Sequence, residues 1–410
     1  MLEKIATGDW LTARRVRAVS AMTLAATILS LAVLALGAHG TLDAAGRPLG
    51  TDFSNVWTAG WMADHGRAAL AWNWPAHHAV QVAAHHDPAV PFYGWHYPPP
   101  FLLVAALLAT MPYVPALIVW QAATLAPALL LVRRIVPHPL TLRVALGAPV
   151  VLVCLGHGHN GFLSAALLGG GLLLLDRRPF AAGLLIGCLV YKPQFAVLLP
   201  LVLIAGRHWR AIAGAAASAA LLCAATLVAW GWPVWRAFLD SLPLTRTVVI
   251  EQGSTGWEKI ASAFSFVRMW GGAVPAAYAA QTIVTVLAVA GAVLATRAAP
   301  AVRNAAVLAA ALLSTPYVLD YDFVMLGVAI AFLAADAGAR GRLRWEASLL
   351  AFAWAAPLFA RAATALTGVP VALIAAAAVF ALALRRAVLL DAAAPLRSSP
   401  FRRSRAASAR

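Results

Sequence analysis

The chain has 410 residues, of which 62% are hydrophobic and 11% charged, with a mean hydropathy of +0.80. These values exclude an ordinary soluble domain and indicate an all-α polytopic membrane protein. The net charge of +16 does not indicate nucleic-acid binding, because Lys and Arg come in short clusters between hydrophobic runs, as in cytoplasmic loops of membrane proteins. The three cysteines lie in apolar runs without CxxC spacing and suggest neither disulfides nor a zinc site.

The first hydrophobic run, from about residue 19 to 36, predicts a retained membrane helix, because no cleavage site and soluble mature chain follow it. The basic clusters place the N-terminus and the Arg-rich turns in the cytoplasm. Between these clusters, the apolar stretches are usually long enough to cross the membrane and return. The polar segment in the middle of each stretch, called an apex below, is expected on the side opposite the clusters. In chain order, the apices are the segments 39–97, 156–161, 191–194, 231–272, 315–322 and 361–368.

The first apex is a long loop rich in aromatic residues and histidine, and Thr51-Asp52-Phe53 lies within it. An acidic residue just beyond a span is where an enzyme acting at a bilayer surface would keep its base. Asp52 also begins a predicted helix, 52–64, so capping of that helix is the alternative role. The loop tryptophans suit a membrane belt or a sugar-binding face. A metal site at His77, His78, His85 and His86 is the weaker hypothesis beside ordinary surface histidines, because no H-E-x-x-H motif is present.

The following segment, 98–111, is too short to span and predicts an outer-surface or re-entrant helix before a second span over 113–131. The two apolar arms around Lys192 have about a dozen residues each, which predicts short or broken helices lining a cavity. We expect about ten to thirteen spans with both ends inside. They would form one domain over residues 1–390, followed by a disordered basic tail over 391–410 that lies near anionic lipid or serves as a positive stop signal.

Ionisable residues within or beside apolar runs are candidates for function, because burying their charge is costly. Lys192 would need an anionic partner such as a phosphate, unless it snorkels to the interface. Asp320 and Asp322 flank Tyr321 at a second apex, and His157, His159 and Asn160 occupy a third. Each of these could equally be a cap or a solvated loop residue.

Several short motifs occur in the same order as in glycosyltransferase family 87, and on these motifs the chain resembles that family over residues 11–386. They are Thr51-Asp52-Phe53, Tyr97-Pro98-Pro99, Gly158-His159-Asn160, the run 182–187 leading to Lys192-Pro193, Thr315-Pro316-Tyr317 and Tyr321-Asp322. The sequence departs from the family pattern at His159, where the apex usually reads Gly-Gln-x-Asn, and at Tyr317, where a His often follows the proline.

The resemblance implies a GT-C fold whose long first periplasmic loop, 39–97, contains juxtamembrane helices. It implies a bacterial inner-membrane enzyme that transfers a sugar, with mannose the expected one, from a polyprenyl-phosphate donor to a lipid or glycan acceptor on the periplasmic side. In such enzymes an acidic residue of the first outer loop is the base, and Asp52 is the matching position. Membrane lipid is then a further partner, and nucleic acid is not.

The chemistry of such a transfer fits the residues. A carboxylate would take the acceptor proton, and a cation would stabilise the departing phosphate, with inversion at the anomeric centre and no required metal or other cofactor. Lys192 would supply the cation together with Arg246, Lys259 or Arg268. The complete set of candidate substrate-binding residues is His96, Tyr97, His159, Asn160, Lys192, Gln194, Lys259, Arg268, Tyr317, Asp320 and Asp322.

Two other classes remain open from the sequence. A multi-span transporter or flippase of a lipid-linked or small solute should show inverted repeats and a polar path through the membrane. The sequence has no convincing internal repeat, and its polar groups gather at one surface. A noncatalytic scaffold would leave Asp52, Lys192 and the pair Asp320 and Asp322 without a role.

Overall fold

The computed structural model describes residues 1–391, and the regular structure in this range is helical apart from three isolated β-bridges. The predicted tail therefore lies outside the described residues from 392 onward. The first ten α-helices are α1 (Leu2–Thr7), α2 (Ala13–Leu36), α3 (Phe53–Asp64), α4 (Trp74–His85), α5 (Pro100–Ala109), α6 (Tyr113–Ile135), α7 (Thr141–Leu146), α8 (Pro149–His157), α9 (Gly161–Leu174) and α10 (Pro179–Gly187). The next ten are α11 (Pro193–Ala196), α12 (Leu199–Ala205), α13 (Trp209–Thr245), α14 (Ala263–Met269), α15 (Val274–Leu294), α16 (Pro300–Leu313), α17 (Val324–Arg340), α18 (Glu346–Ala355), α19 (Ala360–Thr367) and α20 (Val371–Arg386).

Short 3-10 and π-helical segments extend or link these helices. The 3-10 segments are Ala68–Trp72, Cys188–Tyr191, Ala295–Arg297, Asp320–Phe323 and Ala356–Leu358, and the π-helical segments are Arg246–Glu251 and Ala387–Asp391. Helix α13 is broken at Gly231, whose φ of 73° and ψ of −177° are not helical. Its second half therefore takes a new direction.

Six helices within the described range are long and apolar enough to cross a membrane, or seven if one pair bent by 80° counts as a single span. The six are Ala13–Leu36, Tyr113–Ile135, Trp209–Glu251, Val274–Arg297, Asp320–Arg340 and Val371–Leu390. Five shorter apolar helices, each of 10–17 residues, accompany them. These helices confirm an all-α, multi-pass membrane protein, whereas the count of ten to thirteen spans stays a prediction.

The segment before the second predicted span and the start of that span have the expected form. Helix α5 is a short apolar helix packed against α3, and α6 begins at Tyr113, as the sequence predicted. A Cβ at Gly60 of α3 would collide with the Ala105 carbonyl of α5, so only glycine allows this close approach. The contact fixes the direction of α3 and therefore the place of Asp52 at its start.

The centre of the bundle is formed by α16 and α17, which pack against each other and against α9. Every residue of α16 from Val302 to Leu313 is buried, and the many alanines there allow close helix packing. Helix α2 lies at the outside and exposes apolar side chains such as Met22, Leu29 and Val33. In a bilayer these side chains would meet lipid.

The helix ends that carry the Arg clusters are joined by ion pairs that are buried or partly buried. Arg386 is fully buried and donates to Asp336 at 2.6 Å and to Glu346 at 2.6 and 2.7 Å. Arg303 makes two hydrogen bonds of 2.9 Å to Asp176. The polar apices lie at the other ends of the same helices, so the bundle has a basic end and an apical end.

Candidate active site

A cavity of about 640 Å³ opens at the apical end, and all six predicted apices contribute to its wall. One lining residue from each apex, in chain order, is Asp52, His157, Lys192, Lys259, Asp320 and Arg361. The apices are far apart in the sequence, so their convergence is produced by the helix bundle. The cavity is therefore the place where the candidate residues can act together.

Asp52 lies at the N-terminus of α3 but does not cap it. Its side chain makes no hydrogen bond to the first helical turn, so the alternative capping role is wrong. The Asp52 backbone N–H instead donates to the His157 carbonyl at 3.0 Å. The carboxylate retains 24% side-chain exposure, lines the cavity, and lies 3.6 Å from His157 Nδ1.

The turn after α8 is locked against the start of α3. Thr51 Oγ1 hydrogen-bonds to His157 Nδ1 at 2.9 Å, and Trp120 Nε1 donates to the Gly158 carbonyl at 3.0 Å. Gly158 has a φ of 63°, and a Cβ there would lie only 2.7 Å from the Phe53 Cβ. Glycine is required for both the left-handed turn and the close contact, which together hold His157 beside Asp52.

Burial raises the pKa of Asp52 above its ordinary value, and the positive field of His157 opposes this rise. Asp320, across the cavity, raises the pKa further, whereas Lys259 and Lys192 lower it. A carboxylate whose pKa moves towards neutrality is a better general base than an ordinary surface aspartate.

Lys192 has its anionic partner within the chain. Its Nζ donates to Asp322 Oδ1 at 2.5 Å, and the two side chains are 4% and 3% exposed. Asp322 Oδ2 accepts the Leu319 N–H at 3.1 Å. The rings of Phe195 and Tyr321 lie 5.2 and 5.4 Å from the ammonium group. The charge of Lys192 is thus balanced before any substrate arrives.

The other cations that line the cavity differ in how far they are neutralised. Arg47 donates to Asp43 through Nε and Nη2 at 3.0 and 2.9 Å. Arg361 lies 3.9 Å from Glu258. Lys259 makes no ion pair or side-chain hydrogen bond within residues 1–391. Lys259 is therefore the cation best able to meet an incoming anion.

An aromatic network joins several candidate residues. Tyr97 hydrogen-bonds through its hydroxyl to His159 Nε2 at 2.8 Å, and the His159 ring stacks on Tyr321 with centroids 3.4 Å apart. His96 Nδ1 hydrogen-bonds to Thr245 Oγ1 at 3.0 Å and so ties the first loop to α13. The rings form one side of the cavity and provide faces of the kind that pack against sugars.

Most of the residues proposed from the sequence line this cavity. These are Asp52, His96, Tyr97, His159, Lys192, Gln194, Lys259, Tyr317 and Asp320. Asp322 lies behind the wall as the partner of Lys192, and the side chain of Asn160 is buried and has no hydrogen-bond partner among residues 1–391. Arg268 lies elsewhere, stacked on Trp257 and donating to two backbone carbonyls.

Among the lining residues that the sequence did not single out are Arg47, Asn55 and Arg361. Arg47 and Arg361 lie within predicted apices, but nothing in the sequence distinguishes them from other loop arginines. Asn55 could have been found, because it lies three residues after Asp52 in the predicted helix and so shares its face.

Two of the loop histidines are packing residues. His77 and His85 are buried, contrary to the expectation of surface histidines, whereas His65 and His86 are exposed as expected. His85 hydrogen-bonds to Thr41 at 2.8 Å and to Ser54 at 2.9 Å, and burial lowers its pKa to about 4. Within residues 1–391, no three His, Cys, Asp or Glu side chains are grouped to hold a metal ion. Independence from metal stays a prediction.

The fold and cavity define a class of protein: a multi-pass membrane protein with a carboxylate and an unpaired cation facing one apical cavity. The family model of glycosyltransferase family 87 matches residues 95–319, more than half of the chain. The chain belongs to this family and is a membrane glycosyltransferase. Comparison with curated proteins and with solved structures gave no match.

Proposed function

We propose that the enzyme transfers a sugar, most simply mannose, from a polyprenyl-phosphate donor to a hydroxyl of a lipid or glycan acceptor, with inversion. The observation that supports the proposal is that Asp52 and Lys259 line the same cavity. The Asp52 carboxylate is not used to cap α3, and Lys259 has no ion-pair partner among residues 1–391. Glycosyl transfer from a phosphate donor needs a proton acceptor and a cation near the leaving group. Asp52 and Lys259 supply both.

Asp52 acts as the general base in this proposal. The acceptor oxygen forms a bond to the anomeric carbon while its proton passes to the Asp52 carboxylate, and the bond from that carbon to the phosphate oxygen breaks. The phosphate leaves with the bonding electron pair. The raised pKa of Asp52 favours the proton transfer, and His157 stabilises the ionised carboxylate before the reaction.

Lys259 is the principal contact for the donor phosphate. A free ammonium group stabilises the negative charge that develops on the leaving group, and its effect is larger in a cavity than in bulk water. Lys192 lies in the same wall, but its charge is shared with Asp322. Its part is therefore to support the cavity and to add a weaker positive field.

The cavity faces the periplasm of a bacterial inner membrane in this proposal. The Arg clusters lie at the opposite helix ends, and such clusters favour the cytoplasmic side. A polyprenyl phosphate would then keep its tail in the bilayer and present its phosphate to the cavity at the outer surface. No metal is assigned a role.

The experiment is transfer by the purified protein in liposomes. Radiolabelled polyprenyl-phosphate mannose and a lipid or glycan extract are supplied, and label in the acceptor and its anomeric configuration are measured. Transfer with inversion supports the proposal. Movement of labelled donor across the liposome membrane, with no label in any acceptor, would instead support a flippase.

Lys259→Met tests the phosphate contact. A hydrogen bond to a charged group contributes about 1.5–3 kcal/mol, so the variant should raise the KM for the donor by about 10- to 100-fold and leave the KM for the acceptor nearly unchanged. Lys4→Met is the matched control, because Lys4 is an exposed lysine in α1 outside the cavity. An unaltered donor KM in Lys259→Met would remove Lys259 from the phosphate site.

A further inference from the structure

Asn55 is a buried polar residue of the cavity wall. It lies one helical turn after Asp52 in α3, lines the same cavity, and is only 6% exposed. Its side-chain oxygen has no hydrogen-bond partner in the described part of the chain. Buried amide groups are almost always paired, so this oxygen calls for a partner that residues 1–391 do not supply.

His159 is the second such residue. It is 5% exposed and lines the cavity; its Nε2 is hydrogen-bonded to Tyr97, and its Nδ1 has no partner among the described residues. Burial lowers the pKa of His159 well below its ordinary value, with Lys192 and His157 contributing. The imidazole is therefore neutral at physiological pH. An amide and a neutral imidazole are suited to hydroxyl groups, which can both donate and accept hydrogen bonds.

We propose that Asn55 and His159 form the subsite that recognises hydroxyl groups of the transferred sugar, and that Asn55 determines sugar specificity. Residues three apart on a helix have Cβ atoms roughly 5–6 Å apart, which is about the width of a pyranose ring. A sugar with its anomeric carbon near Asp52 therefore presents a ring hydroxyl to Asn55. This inference rests on the proposed glycosyl transfer and adds the class of group recognised, a neutral hydroxylated ring.

The test combines substitutions with deoxy donors. Polyprenyl-phosphate mannose and its 2-, 3-, 4- and 6-deoxy analogues are compared as donors for the wild type and for Asn55→Leu, by kcat/KM. The wild type should reject one analogue by about 10- to 100-fold, because a lost hydroxyl leaves the site's polar groups unpaired. Asn55→Leu should use that analogue and mannose almost equally, while the ratios for the other analogues stay as in the wild type.

Thr58→Val is the matched control. Thr58 lies one turn beyond Asn55 in α3, and its hydroxyl is also buried and unpaired, but it does not line the cavity. This nearly isosteric change should leave every donor ratio unaltered. If Asn55→Leu does not fold, Asn55→Ser carries the same expectation for the ratio.

The outcomes separate this inference from the proposed function. Wild-type transfer with no preference among the deoxy donors, or a preference that survives the Asn55 substitution, would overturn the subsite. If Asn55→Leu changed the kcat/KM ratios for all the deoxy donors together, the subsite would also be overturned, because no single hydroxyl could then be assigned to Asn55. Absence of transfer with every donor would instead contradict the proposed function itself.

Discussion

Replacing Lys192 by Met is expected to destabilise the protein by about 3–5 kcal/mol, because it leaves the Asp322 carboxylate buried without its partner. At the 2.5 Å separation of the pair, the attraction between unit charges is about 7 kcal/mol for an effective dielectric constant near 20. Much of this attraction offsets the desolvation of two side chains that are 4% and 3% exposed. Removing one partner therefore lowers the free energy of unfolding by more than the intact pair contributes to it.

The double variant Lys192→Met/Asp322→Asn separates charge from packing. An Asn side-chain oxygen can still accept the Leu319 N–H, and the unpaired group is then a neutral amide that costs about 1–3 kcal/mol. The double variant should therefore be more stable than Lys192→Met alone. The free energy of unfolding of wild type, both single variants and the double variant is measured in mild detergent. A Lys192→Met loss below about 1 kcal/mol, or no recovery in the double variant, would refute the buried pair.

Two further predictions concern the base and the turn that holds it. The rate of transfer should fall as the pH decreases through the raised pKa of Asp52, because the base must be ionised. His157→Gln removes a positive field that lowers this pKa, so the acid limb of the pH profile should move to higher pH; an unmoved limb would contradict the role of His157. Gly158→Ala should destabilise by about 1–3 kcal/mol because of its positive φ and its contact with Phe53. Gly156→Ala is the control, with no atom within 4 Å of an added Cβ, and equal stability of the two variants would exclude this strain.

The arrangement of the apices could be predicted because it depends on local signals. Hydropathy marks the spans, and the Arg clusters fix which turns share a side. The short arms around Lys192 correctly indicated broken helices, as seen in α10 to α12. The topology predicted from the sequence thus places Asp52, Lys192 and Lys259 at the same end of the helix bundle, without knowledge of any contact between them.

The partners of individual charges could not be predicted in this way. Asp322 is 130 residues from Lys192, and no spacing rule indicates that two separate apices meet as an ion pair. The capping role of Asp52 was a fair local expectation, but the contact of its backbone with His157 comes from the packing of α8 against the loop. Arg268 was attractive as a cation, but it donates to the backbone carbonyls of Glu251 and Gly272 instead. Long-range packing decides these contacts, and a single sequence does not contain it.

The role of Asp52 as the base is tested most directly by comparing Asp52→Asn with Asp64→Asn in the liposome transfer assay. Both residues belong to the α3 region, but Asp64 is exposed at the far end of the helix and does not line the cavity. Asp52→Asn should lower kcat by about 10²- to 10⁴-fold with donor binding retained, and Asp64→Asn should match the wild type. Transfer by Asp52→Asn at the wild-type rate would contradict the account.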